Sequence, residues 1–117
     1  MKRLLIVDDD ARFRELARML LERTPEFDVV GEAGDGSTAI EASRELEPDV
    51  VLLDVNLPDA LGFDLVARFT RKEGEPDVVL ISSRDDGGYA RLAEEVGAAG
   101  FLSKHEFSAA AITQILG

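Results

Sequence analysis

The sequence predicts a single doubly wound α/β domain on a five-stranded parallel sheet, and three observations carry that prediction. Short runs rich in Val, Ile and Leu recur five times along 117 residues, segments of helical periodicity separate them, and turn residues mark the junctions. Strands alternating with helices at this spacing make βαβ units, whose crossovers are right-handed. The length suits one domain around one core.

Taken in order, the first strand is read at residues 4–7, where Leu4, Leu5, Ile6 and Val7 run without alternation. Such a run fits a strand covered on both faces. The first helix follows, with Phe13, Leu16, Ala17, Leu20 and Leu21 on one face. The second strand centres on Val29 and Val30, and Gly34-Asp35-Gly36 opens the second helix, whose stripe is Ala39, Ile40, Ser43 and Leu46. Pro48 precedes the third strand at 50–53; Leu65, Val66 and Phe69 mark the third helix, which Gly74 ends. Pro76 precedes the fourth strand at 78–81. Tyr89, Leu92, Ala93 and Val96 stripe the fourth helix, with Gly97 in the position after it, as helix ends favour. The fifth strand lies at 101–102, and a short last helix reaches Gly117. These stripes are core packing and need no functional meaning. No linker, repeat or low-complexity segment interrupts them.

Composition narrows the chemistry. There is no cysteine, which removes thiolate nucleophiles, disulfides and Cys-based zinc sites. His105 is the only histidine and is read as a surface residue, so a His-rich metal site or a Ser/His/Asp triad has no basis. The net charge of −11, from 13 basic and 24 acidic residues, opposes nucleic-acid binding by this chain. No apolar run is long enough to span a membrane. The basic and apolar start resembles a signal peptide only until Asp8-Asp9-Asp10 ends it, so the expected location is cytoplasmic.

In a doubly wound sheet, sites form outside the carboxyl ends of the strands. The first strand delivers Asp8 and Asp9 there, with Asp10 beyond; the third delivers Asp54; the fourth, Ser82 and Ser83; the fifth, Ser103 and Lys104. The second delivers Glu32 and Ala33, off to one side. Three converging carboxylates raise one another's pKa unless a cation intervenes. Mg²⁺ suits such a site, since it takes oxygen ligands from few carboxylates plus a phosphate. Lys104 supplies a positive point charge for a phosphoryl oxygen, and Ser82 a hydroxyl donor. A carboxylate so placed can act as a nucleophile toward phosphorus. Singly, these residues mean little. Asp10 reads as a helix cap, a lone serine as a turn residue and a lone lysine as surface. The argument rests on four strand ends supplying complementary groups to one crevice.

With these residues in view, Leu5-Ile6-Val7-Asp8-Asp9-Asp10, Val51-Leu52-Leu53-Asp54-Val55-Asn56-Leu57-Pro58, Ile81-Ser82-Ser83 and Gly100-Phe101-Leu102-Ser103-Lys104 resemble the receiver domains of bacterial two-component response regulators, in order and across the whole chain, residues 1–117. The resemblance implies a flavodoxin-like strand order, 2-1-3-4-5. It implies Asp54 as phosphoacceptor, Asp8 and Asp9 as the acidic pair organising Mg²⁺, and the Asn56 backbone carbonyl as a further metal ligand. Ser82 resembles the switch hydroxyl, Lys104 its lysine partner and Phe101 the aromatic that turns inward. Asn56, Arg84 and Ser83 resemble positions that tune the lifetime of the acyl phosphate. Ser stands where Thr is commoner, and Phe101 has no phenol. His105 replaces the usual proline, so a cis bond after Lys104 is not assumed. Pro58-Asp59-Ala60-Leu61-Gly62 replaces the common Pro-Gly-x-x-Gly turn, which implies a slightly altered loop. Phe27-Asp28-Val29-Val30-Gly31-Glu32-Ala33, Asp85-Asp86-Gly87-Gly88-Tyr89 and Gly97-Ala98-Ala99-Gly100-Phe101 resemble receivers that precede LuxR-type helix-turn-helix outputs, none of which is visible in this sequence.

The mechanism so implied is transfer from a phosphohistidine on a histidine kinase or His-phosphotransfer protein to Asp54. A population shift then reaches the face of the fourth helix, fifth strand and fifth helix. That face would bind an output domain, a partner or a second receiver, and the chain would catalyse only its own phosphorylation and dephosphorylation. Ala109, Ile112 and Leu116 serve either that face or the core. Three rivals remain open. A phosphatase of the haloacid-dehalogenase type would carry the covalent phosphate on Asp8 and leave Asp54 idle. A receiver-like module could bind without phosphorylation. A nucleotide or flavin domain would need a glycine-rich turn after the first strand, and none is there.

Overall fold

The computed structural model describes residues 1–69, 76–84 and 87–117. Its elements are β1 (Lys2–Val7), α1 (Ala11–Glu22), β2 (Phe27–Ala33), α2 (Gly36–Leu46), β3 (Val50–Asp54), α3 (Gly62–Phe69), β4 (Asp77–Ser82), α4 (Tyr89–Glu95), β5 (Gly100–Ser103), a 3₁₀ turn (Lys104–Glu106) and α5 (Ala109–Leu116). The strands are all parallel, in the order β2-β1-β3-β4-β5. All five predicted strands and all five predicted helices are present. Gly74, read as the end of the third helix, and Asp85 and Asp86 lie outside the described residues.

The unalternating apolar runs have the cause expected of them. Leu5, Val7, Val51, Leu53, Val78 and Leu80 face the core under α2, α3 and α4. Their neighbours Leu4, Ile6, Val50, Leu52, Val79 and Ile81 face the opposite core under α1 and α5. All twelve side chains are fully buried, each stabilising the fold by about 1.5–3 kcal/mol relative to exposure. Ile112 of α5 joins the second core, with Ala109 and Leu116 half-buried beside it. In α1 the buried arc is narrower than its sequence stripe. Phe13, Ala17 and Leu21 are buried at four-residue spacing, whereas Leu16, on the edge of the arc, is 46% exposed. In β2 the register slips between Leu4 and Leu5, so Val30 has no partner on β1 and is only half-buried.

The helix ends follow local chemistry. Asp10 caps α1, accepting from the Arg12 N–H at 3.0 Å, and Asp35 caps α2, accepting from Thr38 at 2.7 Å. Ser108 caps α5 in the same way. Gly97 has φ +88° just beyond α4, the left-handed conformation that a glycine at a helix end supplies without strain.

The strand order sets the location of the site. From β1 the chain winds outward to β2, then crosses β1 to reach β3 on its other side. The crossover helices on the two sides therefore diverge, opening a crevice at the carboxyl ends of β1 and β3. Asp8 and Asp54 stand at those two ends.

Candidate functional site

Asp8 directly follows β1 and is fully buried. One carboxylate oxygen, Oδ1, accepts from the Asp10 N–H at 2.8 Å, and the Asp8 carbonyl accepts from Arg14 at 2.5 Å. The other, Oδ2, lies 2.6 Å from the Lys104 ammonium but has no hydrogen-bond donor in bonding geometry. That oxygen is charge-compensated by the lysine. Asp54 ends β3 and is 5% exposed. Its Oδ1 accepts a long 3.4 Å bond from the Asn56 N–H, and its Oδ2 lies 3.8 Å from Lys104. Asp9 is exposed at the mouth. Carboxylate oxygens of Asp8, Asp9 and Asp54 lie within 4.8 Å of one another.

The electrostatic cost falls on Asp54. Burial, and then the charge of Asp8, push its carboxyl up to about 7, against the opposing pull of Lys104 and the Asn56 amide. Crowded carboxylate oxygens and a raised Asp54 carboxyl fit a hard divalent cation. Asp8, Asp9 and Asp54 are the side chains that could hold it.

Lys104 leaves β5 through the 3₁₀ turn, which Ser103 caps by accepting from the His105 N–H at 3.2 Å. Its ammonium also sits 4.7 Å from the centre of the Phe13 ring, which packs edge-on against Phe107. Phe13 is thus both core and a cation–π seat that steers Lys104 toward the carboxylates. The Lys104–His105 bond is trans, and His105 is exposed.

Not every predicted residue meets the cluster. Ser82 is buried at the end of β4, but its hydroxyl oxygen accepts from the Arg84 N–H at 3.0 Å, within its own loop. Ser83, Arg84 and Asn56 are exposed around the rim. Phe101 is half-buried and stacks edge-on against Tyr89, which stacks in turn on Phe63. It belongs to an aromatic row under α4 rather than to the carboxylates.

Sequence reasoning passed over three supports. Glu32, set aside as lying off the site, accepts from both Arg14 (3.1 Å) and Arg18 (2.6 Å), tying α1 to the end of β2. Arg14 links that pair to the Asp8 backbone. Asp59 reaches from the β3–α3 loop to α2. The partners of Glu32 and of Asp59 are 14 to 23 residues away in the chain, so no local spacing announces them. Only the departure of Asp59 from the usual glycine was a visible signal.

Gly62 has a steric role. Its N–H donates to the Val55 carbonyl at 2.6 Å, and a Cβ there would collide with the Asp54 carbonyl and touch the Val55 Cα at 3.0 Å. Backbone cannot rotate away as a side chain can, so Gly62→Ala should displace Asp54. The expected cost is about 1–3 kcal/mol in urea unfolding, the scale of an overpacked core. An unchanged midpoint would contradict the close approach.

Residues 4–116 match the family model described as the response regulator receiver domain. Among curated relatives, the transcriptional regulatory protein DegU of Brevibacillus brevis is 34% identical over 101 residues, covering 86% of this chain and 43% of DegU. The protein-glutamate methylesterase/protein-glutamine glutaminase of Alkalilimnicola ehrlichii is 36% identical over 103 residues, covering 87% of this chain and 26% of that protein. The chain therefore spans about half or less of these relatives. Among solved structures, the signal receiver domain of the response regulator NarL from Mycobacterium tuberculosis superposes with a TM-score of 0.86 at 35% identity, covering 99% of this chain and 97% of that one. A LuxR-family response regulator from Aurantimonas sp. SI85-9A1 superposes with 0.85 at 32% identity, covering 97% and 81%.

Proposed function

This chain belongs to the response regulator receiver family, and from that premise we propose that residues 1–117 form one receiver that accepts a phosphoryl group on Asp54 in a Mg²⁺-dependent reaction. The observation that carries this reading is the Asp8–Asp9–Asp54 cluster facing Lys104 at the β1/β3 crevice. When bound, Mg²⁺ would supply positive charge for the phosphoryl oxygens. The rest follows from the chain's own groups. Asp54 is the nucleophile, since Asp8 is fully enclosed with its oxygens turned to Asp10 and Lys104. That distinction disfavours a phosphatase using Asp8. An Asp54 oxygen attacks the phosphorus of a phosphohistidine, the P–N bond breaks, and the imidazole leaves on its donor. Lys104 needs only a small shift from Asp8 to compensate the charge developing on the transferred group.

The Asn56 carbonyl would complete the metal shell, and Asn56, Ser83 and Arg84 at the rim would govern access of water to the acyl phosphate. Ser82 would leave its Arg84 bond for a phosphoryl oxygen, and Phe101 would follow by leaving Tyr89. The changed face is α4, β5 and α5, offered to an output domain, a partner protein or a second receiver. The donor would be a sensor histidine kinase or His-phosphotransfer protein. Leu16 and Met19, each 46% exposed on the helix beside the site, offer it apolar contacts. Beyond its own phosphorylation and dephosphorylation the domain would catalyse nothing. No helix among the described residues is long and apolar enough to cross a membrane, and the proposed setting is the cytoplasm.

Intact mass after incubation with a small acyl-phosphate donor tests this reading. One Mg²⁺-dependent phosphoryl adduct, labile to hydroxylamine and absent from Asp54→Ala, is expected. No adduct and no Mg²⁺ binding would leave a receiver fold that works by binding alone.

A further inference from the structure

The loop between β3 and α3 carries Asn56, and its conformation is closed at several points. Val55 N–H donates to Ile81 at 2.8 Å, Leu57 N–H to the Ala60 carbonyl at 3.1 Å, and Asn56 bridges Leu61 in antiparallel fashion. Pro58 and Asp59 form the tip. From there the Asp59 carboxylate reaches α2, accepting from Gly36 N–H at 2.7 Å on one oxygen and Ser37 N–H at 3.0 Å on the other.

This contact is not the helix's own cap. Asp35 already caps α2 through Thr38. The first turn of a helix has orphan N–H groups beyond those one cap can take, and Asp59 takes two of them from another loop. The two amides hold its carboxyl below the usual carboxylate range, and the helix dipole adds in the same direction. Gly36 is fitted to the contact. A Cβ there would lie 2.9 Å from Leu65 Cδ1 and 3.2 Å from Asp59 Oδ1.

We propose that Asp59 is a positioning residue for the metal site: by clamping the tip of the β3–α3 loop to the N-terminus of α2, it holds the Asn56 backbone beside the carboxylates. The proposal rests on the receiver reading above and adds to it a determinant of Mg²⁺ affinity that touches neither metal nor phosphate. The rigid partner is α2, packed on the sheet through Ala39 and Ile40. Without the clamp, the loop keeps its internal bonds and the packing of Leu57 and Ala60 against the core.

The test compares Asp59→Ala, Asp59→Asn and, as a remote destabilising control in the opposite core, Ile112→Val in the intact chain. Amide hydrogen exchange at Leu57 is followed without metal, and Mg²⁺ is then titrated by NMR. Asp59→Ala should speed Leu57 exchange and weaken Mg²⁺ binding about tenfold, the usual scale for a support behind a ligand. Asp59→Asn, which keeps one acceptor, should fall between it and the parent. Ile112→Val removes one buried methyl group from the core on the other face of the sheet, so it should lower the melting temperature and leave both readouts within about twofold, a gap well below that support's usual scale. Faster exchange with unchanged Mg²⁺ affinity, or equal effects from Ile112→Val, would overturn the positioning role. Failure of the parent chain to bind Mg²⁺ would sink the receiver chemistry, and the proposal with it; the exchange data would still decide whether Asp59 anchors the loop.

Discussion

Replacing Asp54 by Asn is expected to stabilise the metal-free protein at neutral and alkaline pH while abolishing phosphorylation. The carboxyl of Asp54 is raised from the ordinary 3.8 to about 7, first by burial and then by Asp8. Between those two values the folded state binds a proton that the unfolded state has released. The contribution of this group to stability therefore falls as pH rises from about 4 to about 7, and stays lost above that. Asparagine has nearly the same shape, can keep the bond from Asn56, and never ionises. The gain at pH 8 should be about 1–3 kcal/mol, its direction set by the raised carboxyl and its size discounted for relaxation and water access. It should read as a rise of about 5–10 °C in melting temperature for a domain of this size. At pH 4, where Asp54 is protonated in the folded state and about half ionised in the unfolded one, most of the gap should have closed. Millimolar Mg²⁺ should narrow the gap from the other side, because a ligand that binds only the folded parent stabilises it. Thermal melts of both proteins from pH 4 to 8, with and without Mg²⁺, check each limb. A variant that melts at or below the parent at pH 8 would mean that the cluster is not strained by its own charge.

Lys104→Ala should have the opposite effect on stability and a comparable one on chemistry. Lys104 is 16% exposed, faces Asp8 at 2.6 Å and Asp54 at 3.8 Å, and rests on the Phe13 ring. Removing it leaves Asp8 buried without charge compensation. Breaking a buried pair in this way costs about 3–5 kcal/mol. The proposed phosphoryl transfer to Asp54 should slow by at least about 100-fold, as losing one preorganised stabiliser of transition-state charge does. Metal binding should survive, because lysine and cation compete for the same carboxylates. The sharpest readout is the Mg²⁺-induced rise in melting temperature, which should be larger in the variant than in the parent. A smaller rise would show that Lys104 supports the metal site rather than standing in for the cation's charge.

Much of this was legible in the residues. The five strands were announced by unalternating apolar runs, because a parallel sheet covered on both faces has no side to leave polar. Asp35 and Gly97 marked helix ends through local backbone chemistry, and Asp10 proved to be the cap that its position suggested. Asp8, Asp9, Asp54 and Lys104 could be gathered into one crevice from topology alone, since every strand end in such a sheet points the same way. Where the reading slipped, the cause was geometric. Leu16 shares the helical period of Phe13 and Ala17 but lies at the margin of their arc, and how wide an arc is covered depends on what packs above it.

The sequence by itself determined the order of elements, the two-sided core and the acidic and basic groups at the strand ends, because each depends on local periodicity or on the rules of parallel sheets. The tertiary structure alone decided which oxygen of Asp8 meets Lys104, that Phe13 seats that lysine, that Ser82 is turned to Arg84, and that Glu32 and Asp59 tie α1 and the β3–α3 loop to their neighbours. Those are contacts between side chains or loops brought together by packing, and an interaction that exists only after two distant segments meet leaves no period in the chain.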